Sequence, residues 1–265
     1  MENNEVAKIP VWRLIGESGR KIEDVVARES PLTIFLNNQE LVTLLCSPKD
    51  LGYLAIGFLF SEGLVGSKAE IKKVMVDEPR GVARVETEGA DALADELVFK
   101  RFITSGCGRG ASFYSAADVQ NQVRVESQTQ ISTEQVHTLM KEFIRHSEVF
   151  KTTGGVHSAA LCDTKSILVF NEDIGRHNAI DKIFGECLLE AIPTDGRLII
   201  TSGRISSEIL LKVAKRNLPI LISKSAPTDL GVKLADDLGI TLLGFVRGKR
   251  INVYTNDWRI VNDGR

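Results

Sequence analysis

Cysteine is scarce in this chain, and its four copies stand apart as Cys46, Cys107, Cys162 and Cys187. No C-x-x-C spacing occurs among them, so neither a disulfide framework nor a cysteine-based zinc site is expected. Histidine is equally sparse, at four residues, and none is spaced to complete such a site. No apolar run approaches the roughly 18 residues that a membrane span needs. An excess of one charge is lacking too. The 33 Lys and Arg against 35 Asp and Glu leave a formal charge of −2, which gives no electrostatic reason to expect a nucleic-acid or membrane partner. The N-terminus, MENNEVAKIPVW, is polar and acidic, unlike a secretory signal peptide. A cytoplasmic location with reduced thiols is therefore expected.

What remains is ordinary globular material. The 265 residues are 43% hydrophobic and 26% charged, enough for one large domain or two modest ones. Residues 32–45 read as a hairpin around Asn37-Asn38, which tolerate the positive φ of a tight turn. A helix follows, with Ser47 as cap, Pro48 at its first helical position, Asp50 at the positive dipole end and Gly63 as its close. Strands are expected over 71–76, 81–87 and 96–103, making this half α+β. The polar stretch VESQTQISTEQ places a domain boundary near residue 128.

Beyond it, Ser132 and Gln135 form a capping box for a helix striped by Val136, Leu139, Met140 and Phe143. AALCDTKSILVFN reads as two strands around Asp163-Thr164. Residues 178–190 read as an amphipathic helix with Ile180, Ile183, Phe184, Cys187 and Leu188 on one face. Strands RLIITS, LPILIS and ITLLGFV then alternate with helices carrying Ile209, Leu210 and Val213, and Leu230, Leu234 and Leu238. Such alternation predicts a partly parallel sheet covered by helices.

Ligands of such sheets gather beyond the carboxyl ends of the strands. Three loops expected there, SGRIS (202–206), SKSAPT (223–228) and RGKR (247–250), are small, polar and cationic. Backbone amides in Gly/Ser turns, with Arg204, Lys224, Arg247, Lys249 and Arg250, suit a phosphate-bearing ligand. The stretch NEDIGRHNAIDK is either a salt-bridged helix start or the wall of a pocket, with His177 and Asp181 on one helical face. His157 follows a glycine pair. Cys46, Cys162 and Cys187 have apolar neighbours and read as buried small hydrophobes. Cys107 differs, because Gly106 and Gly108 flank it and Arg109 can favour its thiolate.

Taken in order, LAIGFLFSEG, TSGCG, TGGVHSAAL, EDIGRHNAIDK, SGR, SAPT and GFVRGKRINVYT resemble the formate dehydrogenase accessory sulfurtransferases, FdhD, over about residues 30–255. The resemblance implies an α/β protein, α+β overall. Its C-terminal part (129–265) would be a cytidine-deaminase-like three-layer α/β/α domain, and its N-terminal part (1–128) a smaller α+β domain carrying the Cys107 loop. It also implies a homodimer that takes sulfur from a cysteine desulfurase as a persulfide on Cys107. The sulfur then passes to the molybdenum cofactor, as the bis(molybdopterin guanine dinucleotide), for the catalytic subunit of formate dehydrogenase. The deaminase zinc signature is missing, so no zinc is expected.

Carried over by position, Phe245, Val246, Arg247, Gly248, Lys249 and Arg250 match the family's cofactor-binding stretch. Ser202, Gly203, Arg204 and His177 are further candidates, and a guanine nucleotide would mimic the cofactor's end. Members commonly carry C-x-x-C at the cysteine loop, whereas this chain has Gly110 at the second position. Either Cys107 suffices alone or the activity is altered. The alternative is a chaperone that binds the cofactor without a sulfur relay.

Overall fold

Two ten-residue strands, β1 (Val6–Ile15) and β2 (Ser18–Ala27), pair antiparallel along their whole length. The computed structural model describes residues 4–88, 102–103, 111–112 and 124–261. After the first ribbon, β3 (Ser30–Leu36) and β4 (Gln39–Cys46) form the expected hairpin, with Asn37 and Asn38 at φ of 47° and 66°. Helix α1 (Leu51–Glu62) and strands β5 (Ile71–Asp77) and β6 (Val82–Thr87) follow, giving a four-stranded sheet of order β4-β3-β6-β5. Leu32, Ile34, Leu44, Leu54, Phe58 and Val85 join in one core between this sheet and α1.

Strands β7 (Phe102–Ile103) and β8 (Ala111–Ser112) pair antiparallel. Most of the strand expected over 96–103 lies outside the described residues. Strand β9 (Ile131–Ser132) leads into α2 (Thr133–His146), whose capping box forms as expected: Gln135 N donates to Ser132 Oγ and Ser132 N to Gln135 Oε1. The short helix α3 (Glu148–Thr153) precedes β10 (His157–Cys162) and β11 (Ile167–Asp173), the second expected hairpin. Then come α4 (Arg176–Leu189), β12 (Leu198–Thr201), α5 (Ser207–Ala214), β13 (Ile220–Ser223) and α6 (Asp229–Asp237). The chain continues through β14 (Thr241–Arg247) and β15 (Arg250–Thr255) to β16 (Ile260–Val261), which pairs with β9.

The second sheet has the order β11-β10-β12-β13-β14-β15, with β12, β13 and β14 parallel and the rest antiparallel. Its strands alternate between two cores, as the pleat requires. Ile199, Leu221 and Leu242 pack with Ile183, Phe184, Leu210 and Leu234 from α4, α5 and α6. Leu198, Ile200, Ile220, Ile222 and Leu243 pack with Val136, Leu139 and Phe143 of α2. Helices therefore cover both faces.

Four local expectations are corrected. Ser47 does not cap α1, and Pro48 lies before the helix, which begins at Leu51. Asp50 stands at the cap position with φ of 54°, while Ser47 Oγ accepts from Ile174 N at 3.1 Å and Ser47 N donates to Asp173 Oδ2 at 3.1 Å. A long-range partner outcompetes the local cap. Leu230 is 55% exposed, off the buried stripe that Leu234 and Leu238 keep. Leu188 packs against the core of the first sheet, whereas its neighbours Ile180, Ile183 and Phe184 face the second.

That division of α4 joins the two sheets. Helix α4 crosses α1 so closely that a Cβ on Gly57 would lie 1.7 Å from Asp181 O, and one on Gly185 1.9 Å from Tyr53 O. Only glycine fits either position. Around the crossing, Lys182 Nζ meets Asp173 Oδ2 at 2.8 Å, and Lys212 Nζ meets both oxygens of Asp181 at 2.7 and 2.6 Å. Ser61 Oγ of α1 donates to Asp181 Oδ1 at 2.6 Å. No helix among the described residues is long and apolar enough to cross a membrane.

Candidate functional site

Strands β12, β13 and β14 run parallel, so the loops after them open on one edge of the sheet, and hydrogen bonds tie these loops together. Ser223 Oγ donates to Gly203 O at 2.7 Å, Lys224 N to Thr201 O at 3.2 Å and Ile205 N to Ala226 O at 3.1 Å. Phe245 N donates to Ser225 O at 3.0 Å, and Arg247 Nε to Lys224 O at 2.8 Å. The three cationic loops read from the sequence therefore meet. Arg204, Arg247, Gly248, Lys249 and Arg250 are exposed there, while Gly203 is buried.

Phe245 has φ of 52°, an uncommon state for an aromatic residue, where the β14–β15 ladder slips between Gly244 and Arg247. This bend sets its ring 4.7 Å below the Arg250 guanidinium and 6.0 Å from that of Arg247. Gly248, at φ of 56°, opens the two-residue turn to Arg250. Val246 points the other way. It is buried in the core against α2, so it can offer a ligand at this edge backbone atoms and not its side chain.

The antiparallel neighbour β10 starts at the same edge. His157 Nδ1 lies 3.3 Å from Ser202 Oγ, which accepts from Ser158 N at 3.0 Å. The N-terminus of α4 arrives beside them, and a Cβ on Gly203 would lie 2.9 Å from Arg176 Cβ. His177 Nε2 sits 3.5 Å from Glu208 Oε2 of α5, and neither atom completes a hydrogen bond among the described residues. Burial holds the His177 imidazole well below its usual pKa, helped by Lys212, Arg176, His157 and Arg204. Burial and then Arg176 lower His157 as well, with Asp173 opposing. Burial raises Glu208 against the pull of Lys212 and Arg176. The edge thus combines fixed cations with imidazoles that are neutral at pH 7, which suits an anionic ligand.

The salt-bridged reading of NEDIGRHNAIDK holds for its buried residues, where Lys182 pairs with Asp173. Asp173, Asn178, Asp181 and Lys182 are buried structural groups, and Asn178 Nδ2 bridges Asp173 Oδ1 and Leu45 O at 2.9 Å each. Glu172 accepts from Val149 N and Phe150 N, closing the start of α3. Arg176 and His177 belong to the edge. Sequence reading missed Glu208 and Lys212. Their available signal was a pair of charges four residues apart in SEILLKVA, an otherwise apolar helix.

The cysteines also divide. Cys46, Cys162 and Cys187 are free and buried. Burial pushes Cys46 and Cys187 up to about 12, aided by Asp173 and Glu186 respectively, and raises Cys162 further. All three remain protonated and sealed at neutral pH. Cys107 lies outside the described residues, within the 104–110 segment that the β7–β8 pair brackets. Iodoacetamide at neutral pH is accordingly expected to label Cys107 well before the other three in the folded protein. Peptide mapping would check this, and equal labelling of all four would contradict it.

The model of the FdhD/NarQ family matches residues 27–261. The chain belongs to the FdhD/NarQ family. A curated FdhD from Bacillus subtilis (strain 168), named a sulfur carrier protein, is 46% identical over 260 residues, covering 98% of this chain and 99% of that one. The FdhD of Listeria innocua serovar 6a (strain ATCC BAA-680 / CLIP 11262), named likewise, is 44% identical over 257 residues, covering 96% and 98%. A solved structure from Desulfotalea psychrophila, described as a formate dehydrogenase accessory protein, superimposes with a TM-score of 0.82. It is 25% identical, with 97% of this chain and 100% of that chain covered. The FdhD/NarQ match thus takes in both sheets, the bracketed cysteine segment and the cationic edge.

Proposed function

We propose that this chain is a cytoplasmic sulfurtransferase that carries sulfur on Cys107 and delivers it to the molybdenum cofactor of formate dehydrogenase. The observation that carries the reading is the partition of the thiols. A relative 46% identical along nearly the whole chain is named a sulfur carrier, and three of the four thiols here are buried and held protonated. The carrying role falls to Cys107.

In the loading step, the Cys107 thiolate attacks the terminal sulfur of a persulfide on a cysteine desulfurase. A new Sγ–S bond forms, the donor's S–S bond breaks, and the donor cysteine leaves as thiolate. In delivery, the Cys107 persulfide bond breaks and Cys107 returns to thiolate. The acceptor supplies the electron pair that makes the transferred sulfur a sulfide.

The cofactor, as bis(molybdopterin guanine dinucleotide), is the bound substrate. Its phosphates suit the amides and cations of the edge, with Ser202, Gly203, Arg204 and His177 on one side and Phe245–Arg250 on the other. The reading includes a homodimer, a cytidine-deaminase-like arrangement for the helix-covered sheet, and the catalytic subunit of formate dehydrogenase as recipient. A second reading, a cofactor chaperone without covalent relay, draws on Gly110 standing where a second cysteine is common in the family.

The ligand half of the proposal is tested by nucleotide binding. Millimolar GDP is expected to raise the melting temperature by mass action. Arg247→Ala should weaken binding by roughly 1.5–3 kcal/mol through loss of a charge-assisted contact. A melting temperature indifferent to GDP would contradict nucleotide binding at this edge.

A further inference from the structure

His177 is placed oddly for a structural residue. Its Nε2 and the facing Glu208 Oε2 are both closed to solvent, lie within ion-pair distance at 3.5 Å, and yet complete no hydrogen bond among the described residues. A buried polar atom left this way forfeits stability unless another state of the protein uses it. Charges face the imidazole from every side. Arg176 shares its helix, Glu208 and Lys212 come from α5, His157 from β10 and Arg204 from the loop after β12. Lys212 is already committed to Asp181, at 2.6 Å. Among the described residues, the cations Arg176, Arg204 and Lys212 therefore outnumber the one carboxylate, Glu208, that faces His177 directly.

We propose that the His177–Glu208 pair couples anion binding at this edge to uptake of one proton. The inference rests on the nucleotide-binding reading above and adds a mechanism to it. Without a bound anion, burial and then the surrounding cations keep His177 neutral. A phosphate seated beside Arg176, Arg204 and Ser202 offsets those cations, and the imidazole takes a proton from solvent. The imidazolium Nε2–H then faces the Glu208 carboxylate and completes the ion pair. His177 and Glu208 are positioning residues in this scheme, because they hold the helix start and the loop in the anion-bound arrangement.

The sign follows from linkage. The pKa of His177 is lower in the free protein than in the complex, so binding takes up a proton between those two values. Affinity falls as pH rises through that interval, by up to about tenfold per pH unit, and is flat outside it. Anions reaching the edge only through Arg247, Lys249 and Arg250 would lack this dependence.

The test is calorimetry of GDP binding to the full chain, in buffers of different ionisation enthalpy, at several pH values. The wild type is compared with His177→Gln and Glu208→Gln, after melting curves confirm that each variant folds. GDP's own terminal phosphate titrates in the same range, so the readout is the difference between proteins. The wild type is expected to take up more protons per GDP than either variant, and both variants should show a flatter pH profile. NMR of the His177 ring should show its pKa rising when GDP is added. Equal proton uptake in all three proteins, with GDP bound, would overturn this proposal and leave nucleotide binding intact. Absence of binding at every pH would overturn the nucleotide reading itself, and this coupling with it.

Discussion

Cys107→Ala is expected to abolish sulfur delivery to formate dehydrogenase while leaving GDP binding unchanged. The split follows from the different chemistry of the two tasks. The relay needs a nucleophilic sulfur, and the other three thiols are buried and protonated at neutral pH. The residues proposed for the cofactor lie on the second sheet's carboxyl edge, beyond β12, β13 and β14. The bonds described between those loops join Thr201, Gly203, Ile205, Ser223, Lys224, Ser225, Ala226, Phe245 and Arg247. Reconstitution of formate dehydrogenase with each protein, beside a nucleotide titration, reads the two effects separately. Full enzyme activity with Cys107→Ala would leave the chaperone reading in place of the relay.

Asp173→Ala should cost about 3–5 kcal/mol of folding stability, the expected effect of leaving one member of a buried ion pair unpaired. Asp173 and Lys182 side chains are both 0% exposed and 2.8 Å apart. The same carboxylate accepts from Ser47 N at 3.1 Å, and from Gly175 N and Asn178 Nδ2 at 2.9 Å each. Ser47 belongs to the link between β4 and α1, so this one group fastens the first half of the chain to the start of α4. With a domain's whole stability about 5–15 kcal/mol, the loss is a large share. Urea unfolding measures it. The double change Asp173→Ala with Lys182→Met should recover much of the loss, because no buried charge is then left alone. A single-variant cost below about 1 kcal/mol would mean that water reaches the pair.

The elements with strong patterns were legible from the residues alone. Asn37-Asn38 could turn a hairpin, Ser132 and Gln135 could close a capping box, and the apolar runs around Ile200, Ile222 and Leu243 could be sheet strands with loops ending at one edge. Patterning assigned no element to residues 6–27, where the structure has the β1–β2 ribbon. Trp12 and Ile15 there are 60% and 69% exposed, so burial imposes no alternation to read. Ser47 misled because a serine before an apolar helix is a good local cap, and its partners Asp173 and Ile174 are more than a hundred residues away. Local rules cannot see that competition.

The site was legible to a similar degree. The three loops stood out by composition, and a glycine-flanked cysteine stood out by its surroundings. Val246 could not be separated from its neighbours, since strand alternation sends it into the core while Phe245 and Arg247 stay at the edge. Glu208 gave only a charge in an apolar helix, and its meaning comes from the imidazole 3.5 Å away. Long-range pairing supplied what spacing could not.

The central claim is that Cys107 bears the transferred sulfur, and mass spectrometry of the intact thiols tests it most directly. The chain is incubated with a cysteine desulfurase and cysteine, then cut with trypsin without reduction. The peptide FITSGCGR, residues 102–109, should gain about 32 Da, one sulfur atom, while peptides holding Cys46, Cys162 and Cys187 stay unchanged. An unmodified 102–109 peptide, or sulfur found on any of the buried three, would contradict the account.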